Sequence, residues 1–250
     1  MNHLRKVVAC GLVFYALPAL AEPEWRFSLT PYIWFAGLEG DVGVVGLPPA
    51  PVDISASDAV DDTETSLMVL MSAKKGSHGV FADLFYADVR SEEELVPAPV
   101  SLFAKTTTKT TIFTLAYQYE QYNSGGAVLD LLAGARYWDV DGELRFSGGL
   151  GYLGNRKFSD DDSWVDPLIG FKGRVPLGDS RFYLAGGAAL GGLGVGSDYF
   201  YEISANIGYQ WNDAIGTAVG FRMYDVDYDE DDFVYDARQE GWQIGLTWSF

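Results

Sequence analysis

From position 238 to 250 the side chains alternate without a break. Glu240, Trp242, Ile244, Leu246, Trp248 and Phe250 fall on one face, and Gln239, Gly241, Gln243, Gly245, Thr247 and Ser249 on the other. A period of two with bulky apolar groups on one side predicts a strand with one apolar and one polar face. Similar alternation predicts strands near 25–42, 64–75, 79–91, 101–120, 127–146, 163–177, 180–191, 197–211, 214–229 and 238–250. Within 197–211, Tyr199, Tyr201, Ile203, Ala205, Ile207, Tyr209 and Trp211 share the apolar face. Asp198, Glu202, Ser204, Asn206, Gly208 and Gln210 share the other. Within 163–177, Val165, Ile169, Phe171 and Val175 oppose Asp166, Lys172 and Arg174.

The connections alternate in length. Four are short: Gly76-Ser77-His78, Asn123-Ser124-Gly125-Gly126, Gly178-Asp179 and Asn212-Asp213. The others, near 43–63, 92–100, 147–162, 192–196 and 230–237, are longer and mostly polar. Short turns on one side and long loops on the other fit a transmembrane barrel, with the short turns periplasmic. An open sheet edge cannot sit in hydrocarbon, so such a sheet must close. The expected fold is all-β, a closed antiparallel transmembrane β-barrel of about ten strands. Eight or twelve stay open, because the Pro-rich 48–51 and Gly-rich 147–155 stretches could hide or lose a hairpin. A soluble β-sandwich is the alternative.

The first 21 residues add an export signal. Arg5 and Lys6 precede an apolar run over 7–20, and Ala19-Leu20-Ala21 offers a small-x-small cleavage site. The barrel is then expected over 22–250. The signal holds two of the 17 basic residues and no acid, which leaves 15 basic against 35 acidic residues and a formal net charge of −20. Such a chain does not suit nucleic acid, whose phosphates require a basic surface. Cys10 is the single cysteine and lies in the signal, which rules out a disulfide framework or a Cys-based metal site afterwards. No stretch after Ala21 approaches the roughly 18 apolar residues of a membrane helix.

Several stretches carry a family resemblance: Pro31-Tyr32-Ile33-Trp34, Leu132-Ala133-Gly134-Ala135-Arg136-Tyr137-Trp138, Asp166-Pro167-Leu168-Ile169-Gly170, the run from Gly191 to Asp198, and the terminal Phe250. With these the chain resembles proteobacterial small outer-membrane β-barrel proteins of the broad OmpA/porin-like group. The resemblance implies insertion by the barrel-assembly machinery, which recognises a C-terminal aromatic strand, here ending at Phe250. It implies outer-membrane lipid and lipopolysaccharide as surroundings, and it brings no catalytic motif.

The candidate chemistry is therefore sought residue by residue. After the signal there is one histidine, His78, beside Ser77 in a short turn expected on the periplasmic side. Proton transfer near neutral pH favours an imidazole, and this one lies far from an extracellular site, so no enzyme activity is expected. The Gly192-x-Gly194-x-Gly196 run is followed by a strand, not the helix N-terminus that a phosphate loop requires, and is read as a tight extracellular loop. Acidic residues crowd Asp160 to Asp162, Asp139 and Asp141, and the hairpin from Asp225 to Asp236. Asp225, Asp227, Asp229 and Asp231 match the spacing of a calcium loop, but Glu230 stands where a glycine is needed. What survives is weak Ca²⁺ or Mg²⁺ binding at an acidic outer rim; otherwise no cofactor is expected. The second candidate is a lumenal charge network of Lys74, Asp83, Glu120, Asp130, Arg136, Asp166, Lys172, Arg174, Glu202 and Arg222. These charges either pair across a filled interior or line a narrow channel for small solutes or ions.

Overall fold

Residues 24–43, 50–96, 102–148, 156–230 and 233–250 are described by a computed structural model. The expected signal at 1–21 and Asp231 lie outside the described residues. Ten long strands form the wall: β1 (Trp25–Gly43), β3 (Thr63–Lys75), β4 (His78–Val96), β5 (Leu102–Ser124), β6 (Ala127–Gly148), β7 (Lys157–Pro176), β8 (Phe182–Gly192), β9 (Tyr199–Gln210), β10 (Ile215–Glu230) and β11 (Phe233–Ser249). A short β2 (Ala50–Ile54) and helix α1 (Ala56–Asp61) lie between β1 and β3.

Each wall strand pairs antiparallel with its neighbours, and β11 returns to β1 over a register running from Ser28↔Ser249 to Gly43↔Val234. The chain is a closed antiparallel ten-stranded β-barrel, the first of the counts held open. At the closure Phe27 and Phe250 exchange backbone hydrogen bonds of 2.8 and 3.0 Å. Closure leaves no full-length edge strand, as a bilayer demands. The apolar face of the alternation points outward: Ile169, Val175, Ile207, Trp242 and Leu246 are all exposed. That exterior disposes of the sandwich alternative, which would bury these side chains between sheets. The short turns are tight, and Gly125 and Gly126 at φ 60° and 80° occupy a left-handed conformation that side chains disfavour.

Two expectations about the outer end are corrected. Several strands run on beyond their predicted ends, so Asp160 to Asp162 belong to β7 and Asp236 to β11, not to loops, while Asp225, Asp227 and Asp229 lie on β10 as expected. Above the membrane the outward face turns polar, and the hydropathy signal fades although the backbone ladder continues. The 43–63 connection, read as a loop, contains β2 and α1. Ser55 caps the helix, its hydroxyl accepting the Asp58 amide at 3.2 Å.

The candidate lumenal site

The interior falls into levels. Nearest the outer end, large rings fill the bore. Trp164 and Tyr228 stack with centroids 3.8 Å apart, and Trp138 stacks on Trp164 at 5.7 Å. Phe200 and Tyr224 meet Trp138 edge-on, and Trp34 packs on Phe85 and Tyr224. All seven rings are buried. None of these rings is anticipated from the sequence, where aromatics that alternate along a strand are expected on the lipid face. Yet each shares its face with a lumenal charge or another inward ring on the same strand, two residues away in every case but Tyr228, which lies four from Tyr224.

Below the rings lies a charged level. Arg222 donates to the Tyr32 hydroxyl at 2.7 Å and to Asp83 at 2.8 Å, and pairs with Glu202 at 3.0 Å. The Tyr32 hydroxyl in turn donates to Asp83 at 3.0 Å. Arg136 pairs with the other Glu202 oxygen at 2.5 Å and donates to the Thr114 hydroxyl at 2.8 Å. Both guanidiniums also face rings of the level above: Arg136 lies 4.6 Å from the Phe200 centroid and Arg222 5.3 Å from that of Trp34.

Nearer the short turns, Lys74 bridges Glu120 at 2.5 Å and Asp130 at 2.6 Å. Gln118 adds a hydrogen bond to Asp130 at 3.1 Å, and Lys172 approaches Asp130 at 4.0 Å. Arg174 has no ion pair among the described residues; it lies over the Tyr183 ring at 3.6 Å and donates to Gln210 at 2.9 Å. Between this group and the charged level is a cavity of about 340 Å³, lined among others by Asp130, Lys172, Arg174 and Tyr183.

Nine of the ten expected lumenal charges thus meet an ionic or cation–ring partner, but Asp166 does not. Its register neighbour is Arg136, which turns to Glu202 instead. Asp166 accepts from the Trp138 indole at 2.8 Å and from the Ser197 amide and hydroxyl at 2.7 and 2.8 Å. The Trp164 indole completes the group on the Ser197 hydroxyl at 2.8 Å. Asp166 therefore anchors the loop after β8, whose glycine run draws the fully buried Ser197 inward over the rings. A side chain at Gly196 would fall 2.7 Å from Asp166 and 2.8 Å from Trp164, which explains the glycine there.

The spacing of the acidic rim follows the strand it stands on. Asp225, Asp227 and Asp229 take every second position on the outward face of β10, so successive carboxylates start about 6.6 Å apart. Ca²⁺ ligands must all reach one point at roughly 2.4 Å. Asp225 is instead held by Arg238 at 2.7 Å and by the Tyr201 hydroxyl at 3.2 Å. Among the described residues no group of three or more His, Cys, Asp or Glu is placed to hold a metal ion. Asp227 lies opposite Asp236; desolvation first, then Asp236, Asp198, Asp229 and Asp225, push its carboxyl above its ordinary value. His78 begins β4 at a short turn and hydrogen-bonds the Tyr117 hydroxyl, at the opposite end from these acids.

No protein-family model and no curated protein matches the sequence. Solved structures do. The outer membrane protease OmpT from Escherichia coli is 12% identical, with a TM-score of 0.56 over 93% of this chain and 99% of that one. The transport unit of the autotransporter AIDA-I from Escherichia coli is 7% identical over 95% and 93% of the two chains, with a TM-score of 0.45. Ail, the attachment invasion locus protein of Yersinia pestis, is 10% identical over 90% and 98%, with a TM-score of 0.36. At such identities the likeness concerns the fold: a barrel of the outer-membrane kind.

Proposed function

We propose that this chain is an exported, non-enzymatic protein of a Gram-negative outer membrane, with a closed lumen and a structural or surface-interaction role. The observation that carries this reading is the ring level, where Trp164, Tyr228 and Trp138 stack across the bore under the loop held by Asp166. A narrow porin needs a wet path at that level, and stacked rings packed edge-on by Phe200 and Tyr224 argue against one. The signal-like 1–21 segment and the aromatic C-terminal strand support export and insertion by the barrel-assembly machinery. Lipid and lipopolysaccharide are the surroundings of the outward face. The acidic strands above the membrane present a surface that repels nucleic acid and suits other partners.

No catalytic step is assigned, since His78 and the outer acids occupy opposite ends of the barrel. The test is conductance of the refolded protein in a planar bilayer, with folding verified by a heat-dependent gel shift. A silent bilayer is expected. Defined current steps whose ion preference changes in Arg136→Ala or Lys172→Ala would replace this reading with the narrow-channel one.

A further inference from the structure

The seam between β1 and β3 is unlike the other nine. Its ladder has seven pairs, from Trp25↔Lys75 to Pro31↔Val69, the fewest of any wall seam among the described residues. Proline cannot donate to a ladder and ends it, and the β11 register also skips Thr30 and Pro31. Beyond Pro31, β1 stays with β11, but its other edge over 32–37 has no strand beside it until β2 takes over at Leu38↔Ile54. On the far side, 63–68 of β3 pair with β4 alone. The result is a window: Pro31 and Val69 form its lower margin, the two free edges its sides, and α1 its upper margin. Gly37 lets that upper margin approach, because a Cβ there would lie 2.8 Å from the Ile54 carbonyl oxygen.

A cavity of about 280 Å³ occupies the window. Ile33 and Phe35 line it from the lipid face, Trp34, Met68 and Phe85 from the lumenal face, and Val60 from α1. Residues from both faces of β1 thus line one cavity along the stretch where its edge is unpaired. No charged residue among those described lines it, in contrast to the cavity beside Asp130 and Lys172. Its height is fixed by register: Ile33 lies opposite Ile244 and Phe35 opposite Trp242, both exposed on the apolar belt. The mouth is therefore continuous with the lipid-facing surface, on the side of the outer leaflet. Unpaired strand edges at that depth are costly, and the break is specified by a proline inside an otherwise regular strand.

We infer that this window admits the acyl chain of an outer-leaflet lipid into the side chamber between Trp34, Met68 and Phe85. The inference goes beyond the proposed function, since a lumen closed to ions can still take a lipid chain sideways. The volume suits the end of one chain and not a whole lipid; sites for entire small molecules run from roughly 300 to 1,000 Å³.

The test reconstitutes the full barrel in phosphatidylcholine vesicles carrying a diazirine near the end of one acyl chain. After irradiation the adducts are mapped by mass spectrometry. Adducts on the lumen-facing Met68 and Phe85 are expected, and their loss in Ala36→Trp, which fills the chamber, with the outward Ile33 still labelled. Ala87→Phe serves as a second filling variant should the first fail the heat-shift check. Labelling confined to Ile33, Phe35 and Leu67, or labelling of Met68 that survives filling, overturns the inference. Bilayer conductance is read on the same preparations, so the closed-lumen reading and the window can fail separately.

Discussion

Replacing Arg222 by Met tests the charged level most directly. The change removes hydrogen bonds to Tyr32 at 2.7 Å and Asp83 at 2.8 Å and the ion pair to Glu202 at 3.0 Å, all made by a buried guanidinium. The two carboxylates are not left alike. Glu202 keeps Arg136 at 2.5 Å, whereas Asp83 keeps only the Tyr32 hydroxyl at 3.0 Å and no cation. Breaking a buried ion pair from one side costs about 3–5 kcal/mol, because the remaining charge is uncompensated. With one stranded carboxylate and not two, the lower end is expected, about 3 kcal/mol.

Methionine fills much of the vacated volume, so the loss reports charge more than packing. The assay is urea unfolding of the vesicle-inserted barrel, followed by the gel shift and by tryptophan fluorescence. Asp83→Asn in the Arg222→Met background removes the stranded charge and is expected to recover about 1–3 kcal/mol, the scale of coupling between contacting groups. A single variant within about 0.5 kcal/mol of the wild type, or a double variant no better than the single, would refute this account of Asp83.

Other outcomes follow from particular contacts. Gly241→Ala places a Cβ 1.8 Å from the Phe35 carbonyl oxygen and is expected to lower stability by more than about 2 kcal/mol, read in the same urea titration. Gly245→Ala, whose nearest neighbour would be the Thr30 methyl at 3.2 Å, serves as its milder companion. Trp164→Ala combined with Tyr228→Ala removes the closest ring stack and is expected to give small current steps in a planar bilayer where the parent is silent. Asp227→Asn tests the rim: the folded carboxyl titrates above its unfolded value, so ionisation opposes folding once the pH exceeds that value. The variant should be slightly more stable than the parent at neutral pH. Its advantage should vanish below about pH 4, the ordinary carboxylate range; an advantage that persists in acid would show that charge is not its cause.

How much of this was legible in the sequence depends on depth. In hydrocarbon the two faces of a strand must differ sharply, so Ile203, Ala205 and Ile207 against Glu202, Ser204 and Asn206 declare both strand and facing. Above the membrane water wets the outer face, and the contrast fades; that is why β4, β7 and β11 outran their predicted ends. Helix α1 has six residues, too few for a helical period, and its one signal was Ser55 three residues before Asp58. The missed rings had a readable sign in parity. Trp164 shares the parity of Asp166, and Phe200 that of Glu202, so each had to point inward with its charged neighbour. Parity could not say that Arg136 would pass over its register neighbour Asp166 for Glu202, because that choice depends on contacts across the bore.

The same logic accounts for the echo between Arg136-Tyr137-Trp138-Asp139-Val140-Asp141 on β6 and Arg222-Met223-Tyr224-Asp225-Val226-Asp227 on β10. In each, the inward positions read arginine, ring, valine, and the outward positions read one membrane-facing residue and then two aspartates. The inward triplet climbs from the charged level to the ring level. The outward triplet crosses from lipid to water over the same rise, since a carboxylate on the lipid face is stable only past the hydrocarbon edge. Two strands from separate hairpins thereby place an arginine at one height, and both arginines reach Glu202, one on each oxygen at 2.5 and 3.0 Å. A shift of either strand by a single residue would turn its arginine to lipid and its aspartates inward. The echo thus fixes register for two hairpins at once, and Glu202 is the residue on which that agreement can be measured.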